Sequence, residues 1–90
     1  MATNDEPQGW QRIGRQRSLF RRFEFAAYAE TRLFLERLAA LSERTGIYPD
    51  LSFGTKHVNV TVHGASGEPG EAEVAFALEV ARLARPDEQP

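Results

Sequence analysis

Between Glu43 and His63 the chain reads ERTGIYPDLSFGTKHVNVTVH, and this stretch gathers residues that could move a proton or hold a planar ligand. Glu43 offers a carboxylate, Tyr48-Pro49-Asp50 a proline turn carrying an aromatic, Phe53 a stacking surface, and His63 an imidazole. Carboxylates and imidazoles are the usual general acids and bases, because their protonation can be tuned to near-neutral pH. Ile47 and Tyr48 stand between them. An isoleucine carries no proton at any pH, and phenols titrate near 10, outside the range such catalysis prefers. Glu43 and His63 could therefore move protons near neutral pH, and Ile47 and Tyr48 between them could not.

Other chemistries have less to draw on. The chain has no cysteine, which removes disulfides, thiolate metal sites and a cysteine nucleophile. His57 and His63 share one strand face but lie about 20 Å apart along an extended chain, too far to chelate one ion alone. The glycines of Gly64–Gly70 lack the lysine and spacing of a phosphate loop and read as a connector. No metal and no cofactor are expected.

The elements that must position these residues follow from periodicity. Trp10–Ile13 and Leu19–Phe25 read as strands around a basic loop at Gly14–Ser18. From Ala26 to Thr45 the period becomes helical, with Ala27, Phe34, Leu38 and Leu41 in one stripe and Ala29, Leu33 and Ala40 in a lesser one. Gly46 ends that helix and Pro49 prevents its resumption. A short extended piece, Leu51–Phe53, precedes Lys56–His63, where Val58, Val60 and Val62 face inward and His57, Asn59, Thr61 and His63 face away. A last helix runs from Glu71 to Ala84 before Pro86. The order strand–strand–helix–strand–strand–helix predicts an α+β two-layer sandwich, β-β-α-β-β-α, with a four-stranded antiparallel sheet and two helices on one face. The domain spans residues 10–84, between a disordered tail at 1–9 and a C-terminal tail at 85–90.

The last helix is apolar most of the way round: Phe76, Val80 and Leu83 continue past Val74, Ala77, Leu78 and Ala81. A helix of that kind must be covered on two sides. This predicts a homo-oligomer, at least a dimer, with Phe76, Val80 and Leu83 in the interface.

A net charge of −2 argues against non-specific nucleic-acid binding. The first quarter is nevertheless rich in arginine, including Arg15, Arg17, Arg21 and Arg22, either a solvated basic hairpin or a docking surface for an acidic partner. Tyr48 on its proline turn joins them as a recognition candidate. No apolar run approaches the length of a membrane span and no signal peptide is evident, so a cytoplasmic location is expected.

The Glu43–His63 pattern resembles the signature of pterin-4a-carbinolamine dehydratases. In that family an acidic or polar residue is followed, after three intervening residues, by His-His-Pro, then an aromatic, a further histidine, and an aspartate opening the last helix. Glu43, Pro49, Phe53 and His63 fall on these positions, Glu73 lies near the aspartate, and Ile47 and Tyr48 replace the paired histidines. The resemblance extends from Gly9-Trp10 through Phe20–Phe25 to Ala84, with a short deletion between Pro49 and Phe53. It implies a β-β-α-β-β-α fold and no dehydratase activity. Gly46–Gly54 and His57–Thr61 resemble a catalytically degenerate branch associated with α-carboxysomes, which acts as a RuBisCO assembly factor. That branch implies the RuBisCO large subunit as partner and a carboxysome-associated location. An active 4a-hydroxytetrahydropterin dehydratase and a dimerisation cofactor for a transcription factor remain the alternatives.

Overall fold

Val58, Val60 and Val62 set the centre of the molecule. Each is fully buried, and each is an inward step of one strand's two-residue period. A computed structural model describes residues 9–65 and 67–84. Its elements are β1 (Gln11–Ile13), β2 (Ser18–Glu24), α1 (Tyr28–Thr45), β3 (Asp50–Phe53), β4 (His57–Val62) and α2 (Glu71–Leu83). The sheet is antiparallel, four-stranded and ordered β1-β2-β4-β3, which leaves β1 and β3 at its edges. This is the α+β sandwich expected. The tails read at 1–9 and 85–90 lie, apart from Gly9, outside the described residues.

Both helices cover the face that Leu19, Phe23 and the three valines present. Phe34, Leu38 and Leu41 arrive from α1, and Phe76, Ala77 and Val80 from α2. Phe23 lies 5.0 Å from Phe34 and meets Trp10 edge-on at 5.9 Å, so aromatic contacts close one side of the core. Burying each large apolar side chain is worth about 1.5–3 kcal/mol.

Helix α1 begins later than its alanines suggest. The Phe25 N–H donates to the Lys56 carbonyl at 2.8 Å, which prolongs the β2–β4 ladder past Glu24. Ala27 is still extended, and the helix starts at Tyr28. Thr31, fully buried, donates from its hydroxyl to the Thr55 carbonyl at 2.8 Å and so ties the helix to the β3–β4 turn. At the other end Gly46 takes the left-handed conformation, φ 83°, and its N–H donates to Ser42 O at 2.7 Å.

Helix α2 corrects the reading of its apolar surface. Phe76 and Val80 are not an outer face: they are 2% and 0% exposed inside one chain, and Leu83 is half-buried against the same core. The outward side carries Glu71, Ala75, Leu78 and Arg82, with Leu78 48% exposed. The wheel gave the helix two apolar halves. The sheet and α1 take up nearly all of the larger one, and alanines make up much of the remainder.

Candidate functional site

The end of the sheet where β2 starts and β4 stops collects the surviving polar groups. Alternation along β4 places His57, Asn59 and Thr61 on the face opposite the helices, and His63 follows as the next outward step. The register Leu19↔Val62 sets Ser18 beside His63, and Asp50↔Thr61 brings Asp50 to its other side. The His63 ring is engaged at both nitrogens: Nδ1 lies 2.8 Å from Ser18 Oγ and Nε2 lies 2.7 Å from Asp50 Oδ2. One side chain thereby links β2, β4 and β3.

Serine, histidine and aspartate are also the types of a hydrolytic relay. Ser18 is only 6% exposed, however, and its hydroxyl is not presented to a substrate. Neither Ser18 nor Asp50 stood out in the sequence. The valine alternation held the signal, because pairing β2 with β4 in the register that buries Leu19 puts Ser18 opposite His63.

The other positions read from the motif do not converge on this imidazole. Glu43 is exposed on the last turn of α1, and Ile47 packs against the core. Tyr48 is 68% exposed and Pro49 half-buried. Phe53 is 57% exposed at the far end of β3, where it pairs with Val58. Glu73 reaches back to the start of α2 and accepts from the Gly70 N–H at 2.8 Å, so its carboxylate closes a helix end. A cavity of about 200 Å³ lies elsewhere, lined by Phe25, Leu33, Phe34 and Leu83 with Glu30 and Arg37, and includes none of the motif positions. Among the described residues no group of three or more histidine, aspartate or glutamate side chains is placed to hold a metal ion.

The arginines separate. Arg15 is exposed in the β1–β2 turn with Arg17, whose Nε lies 3.8 Å from Glu68. Arg21 shares the helix side with Leu19 and lies 4.6 Å over the Phe23 ring. Arg22 is on the open face with Nε 3.1 Å from Glu24. Alternation along β2 sends Arg21 and Arg22 to opposite faces, so the four do not make one patch. Arg15, Arg17 and Tyr48 do share an end of the sheet, because the β1–β2 turn precedes Ser18 and Tyr48 precedes Asp50.

Residues 1–68 match the family model described as pterin 4 alpha carbinolamine dehydratase. The chain belongs to that family. A relative from Thermomicrobium roseum, described as a putative pterin-4-alpha-carbinolamine dehydratase, is 33% identical over 81 residues, 88% of this chain and 84% of its own. A solved pterin dehydratase-like protein, identified as a RuBisCO assembly factor in the alpha-carboxysome, is 50% identical, with a TM-score of 0.80 over 86% of this chain and 90% of its own. A transcriptional coactivator/pterin dehydratase from Brucella melitensis shares the fold at 22% identity, TM-score 0.79, covering 86% of this chain and 83% of its own. No helix of this dehydratase-family chain, among the described residues, is long and apolar enough to cross a membrane.

Proposed function

We propose that this chain is a non-catalytic member of the pterin dehydratase family that assists RuBisCO assembly in association with α-carboxysomes. The observation that carries the reading is the 50% identity, over most of both chains, to the protein identified as such an assembly factor. The relative described as a putative dehydratase is more distant, at 33%. The residues argue the same way. Ile47 and Tyr48 stand where the family signature has its histidine pair, Ile47 is packed on the core, and His63 has both nitrogens occupied.

The RuBisCO large subunit is the partner in this reading, met at the sheet end by Tyr48, Arg15 and Arg17. Arginines there would steer an acidic surface and lose effect as salt shortens screening to about 8 Å. Arg21 and Arg22 stay in the proposal as separate contacts on opposite faces.

The chain acts as a homo-oligomer, a dimer at least, through β3. This edge strand exposes Leu51 at 41% and Phe53 at 57%. Gly54 N–H donates to His57 O, so along the antiparallel ladder Asp50 and Ser52 also bond to β4 while Leu51 and Phe53 turn their N–H and C=O outward. A second copy paired about a two-fold axis at Ser52 sets Leu51 opposite Phe53 in both directions. That register satisfies all the outward groups of these residues and places no like charges face to face.

The test is co-elution of the purified chain with RuBisCO large subunits in low and high salt. Binding that weakens with salt supports the reading. No binding at low salt removes it.

A further inference from the structure

We propose that His63 is a positioning residue: Asp50 and Ser18 commit both of its ring nitrogens, which withdraws it from proton transfer and makes it the pin that holds the start of β3. The part played by Tyr48 rests on the function proposed above. The bonding of the imidazole does not.

A carboxylate oxygen only accepts, so at 2.7 Å from Asp50 Oδ2 the Nε2 atom carries the hydrogen. Neutral imidazole then offers a lone pair at Nδ1, and the Ser18 hydroxyl, 2.8 Å away, donates to it. A general base needs a lone pair within reach of its substrate, directly or through a hydroxyl that it activates. The Nδ1 lone pair of His63 is taken by Ser18, whose 6% exposure keeps its hydroxyl from a substrate, although the imidazole side chain is itself 47% exposed. Its visibility to solvent therefore misstates its reactivity.

The placement explains what the contacts accomplish. Asp50 is the first residue of an edge strand whose four residues are all exposed and which, within the chain and among the described residues, pairs with β4 alone. The end of such a strand frays readily, since few buried contacts hold it. The ring ties Asp50 to β4 and, through Ser18, to β2, the strand beyond. Two residues before Asp50 lies Tyr48, whose direction depends on where β3 begins. Histidine suits this role better than a shorter polar residue, because it bonds on both sides at once.

Two measurements test the pin. The chain has two histidines, so diethyl pyrocarbonate, which acylates unprotonated imidazole nitrogen, can be followed at each by mass spectrometry. His63 should react slowly in the native chain. Asp50→Ala and Ser18→Ala should each speed its modification roughly three- to tenfold, the worth of one net hydrogen bond, with His57 unchanged as the internal reference. Amide hydrogen exchange supplies the second readout. Asp50→Ala and His63→Ala should each raise exchange at Ser52 and Gly54 by a similar factor over Val60, and the double variant should do no more than either alone. Native His63 reacting as fast as in the variants, or β3 amides that rise only in step with Val60, overturns the proposal. A failure of RuBisCO binding with both results intact would remove the function and leave the pin.

Discussion

Helix α2 and strand β3 are each richer in apolar residues than a small domain readily buries, and they resolve in opposite ways. In α2 the excess is internal: Phe76, Ala77 and Val80 go into the core, and the outward side keeps Leu78 among Glu71, Ala75 and Arg82. In β3 the excess is real. Leu51 and Phe53 point to the helix side of the sheet but lie at its edge, and both are left largely open. A helix wheel counts apolar residues without regard to size, so alanines widen the stripe without adding surface that needs cover. A four-residue strand gives little periodic signal, yet its position at a sheet edge leaves every side chain exposed.

A charge placed on each element separates the two cases most strongly. Val80→Glu would bury an unpaired carboxylate at a position with no solvent access. It should cost about 4 kcal/mol or more, a large share of the roughly 5–15 kcal/mol that holds a small domain, and so lower the melting temperature steeply rather than merely separate copies of it. Circular dichroism would show this, and a folded monomer would return α2 to the interface. Leu51→Lys with Phe53→Lys should do the reverse, giving a monomer by light scattering with a melting temperature close to the native one. A dimer that persists would remove β3 as the contact.

Geometry can sharpen the same point. Ser52→Cys introduces the only cysteine into the chain. In the two-fold register the two sulfurs face each other across a non-hydrogen-bonded pair whose Cα atoms lie about 4.5 Å apart, within disulfide reach. Mild oxidation should yield a covalent dimer from Ser52→Cys and much less from Asp50→Cys. Equal yields would show that β3 does not pair in this register.

Much of the fold was legible in the sequence because its signals were strong and local. The valine alternation defined β4, the Phe34–Leu38–Leu41 stripe defined α1, and Gly46 before Pro49 marked the turn between α1 and β3. The site was less legible. The motif gave His63, but its partners come from strands far along the chain, Ser18 by 45 residues and Asp50 by 13, and only the register joins them. The arginine cluster failed for a related reason. Neighbours in sequence on a strand point to opposite faces, so Arg21 and Arg22 are separated by the sheet itself.

A smaller effect separates stability from contact. Gly46→Ala meets no atom within 4 Å but must hold φ 83°. It should lower stability by about 1–2 kcal/mol in chemical denaturation while leaving the oligomeric state unchanged. A change in assembly would mean that the α1–β3 turn takes part in it.

If this dehydratase scaffold serves through its surface rather than through proton transfer, RuBisCO assembly should depend on the chain and on that surface. RuBisCO subunits would be co-expressed with the native chain, with no chain, and with a Tyr48→Ala, Arg15→Glu, Arg17→Glu variant shown to be folded, and the yield of assembled enzyme compared. The yield should be high with the native chain, and lower both without it and with the variant. Equal yields with and without the native chain would rule out a role for the chain in assembly.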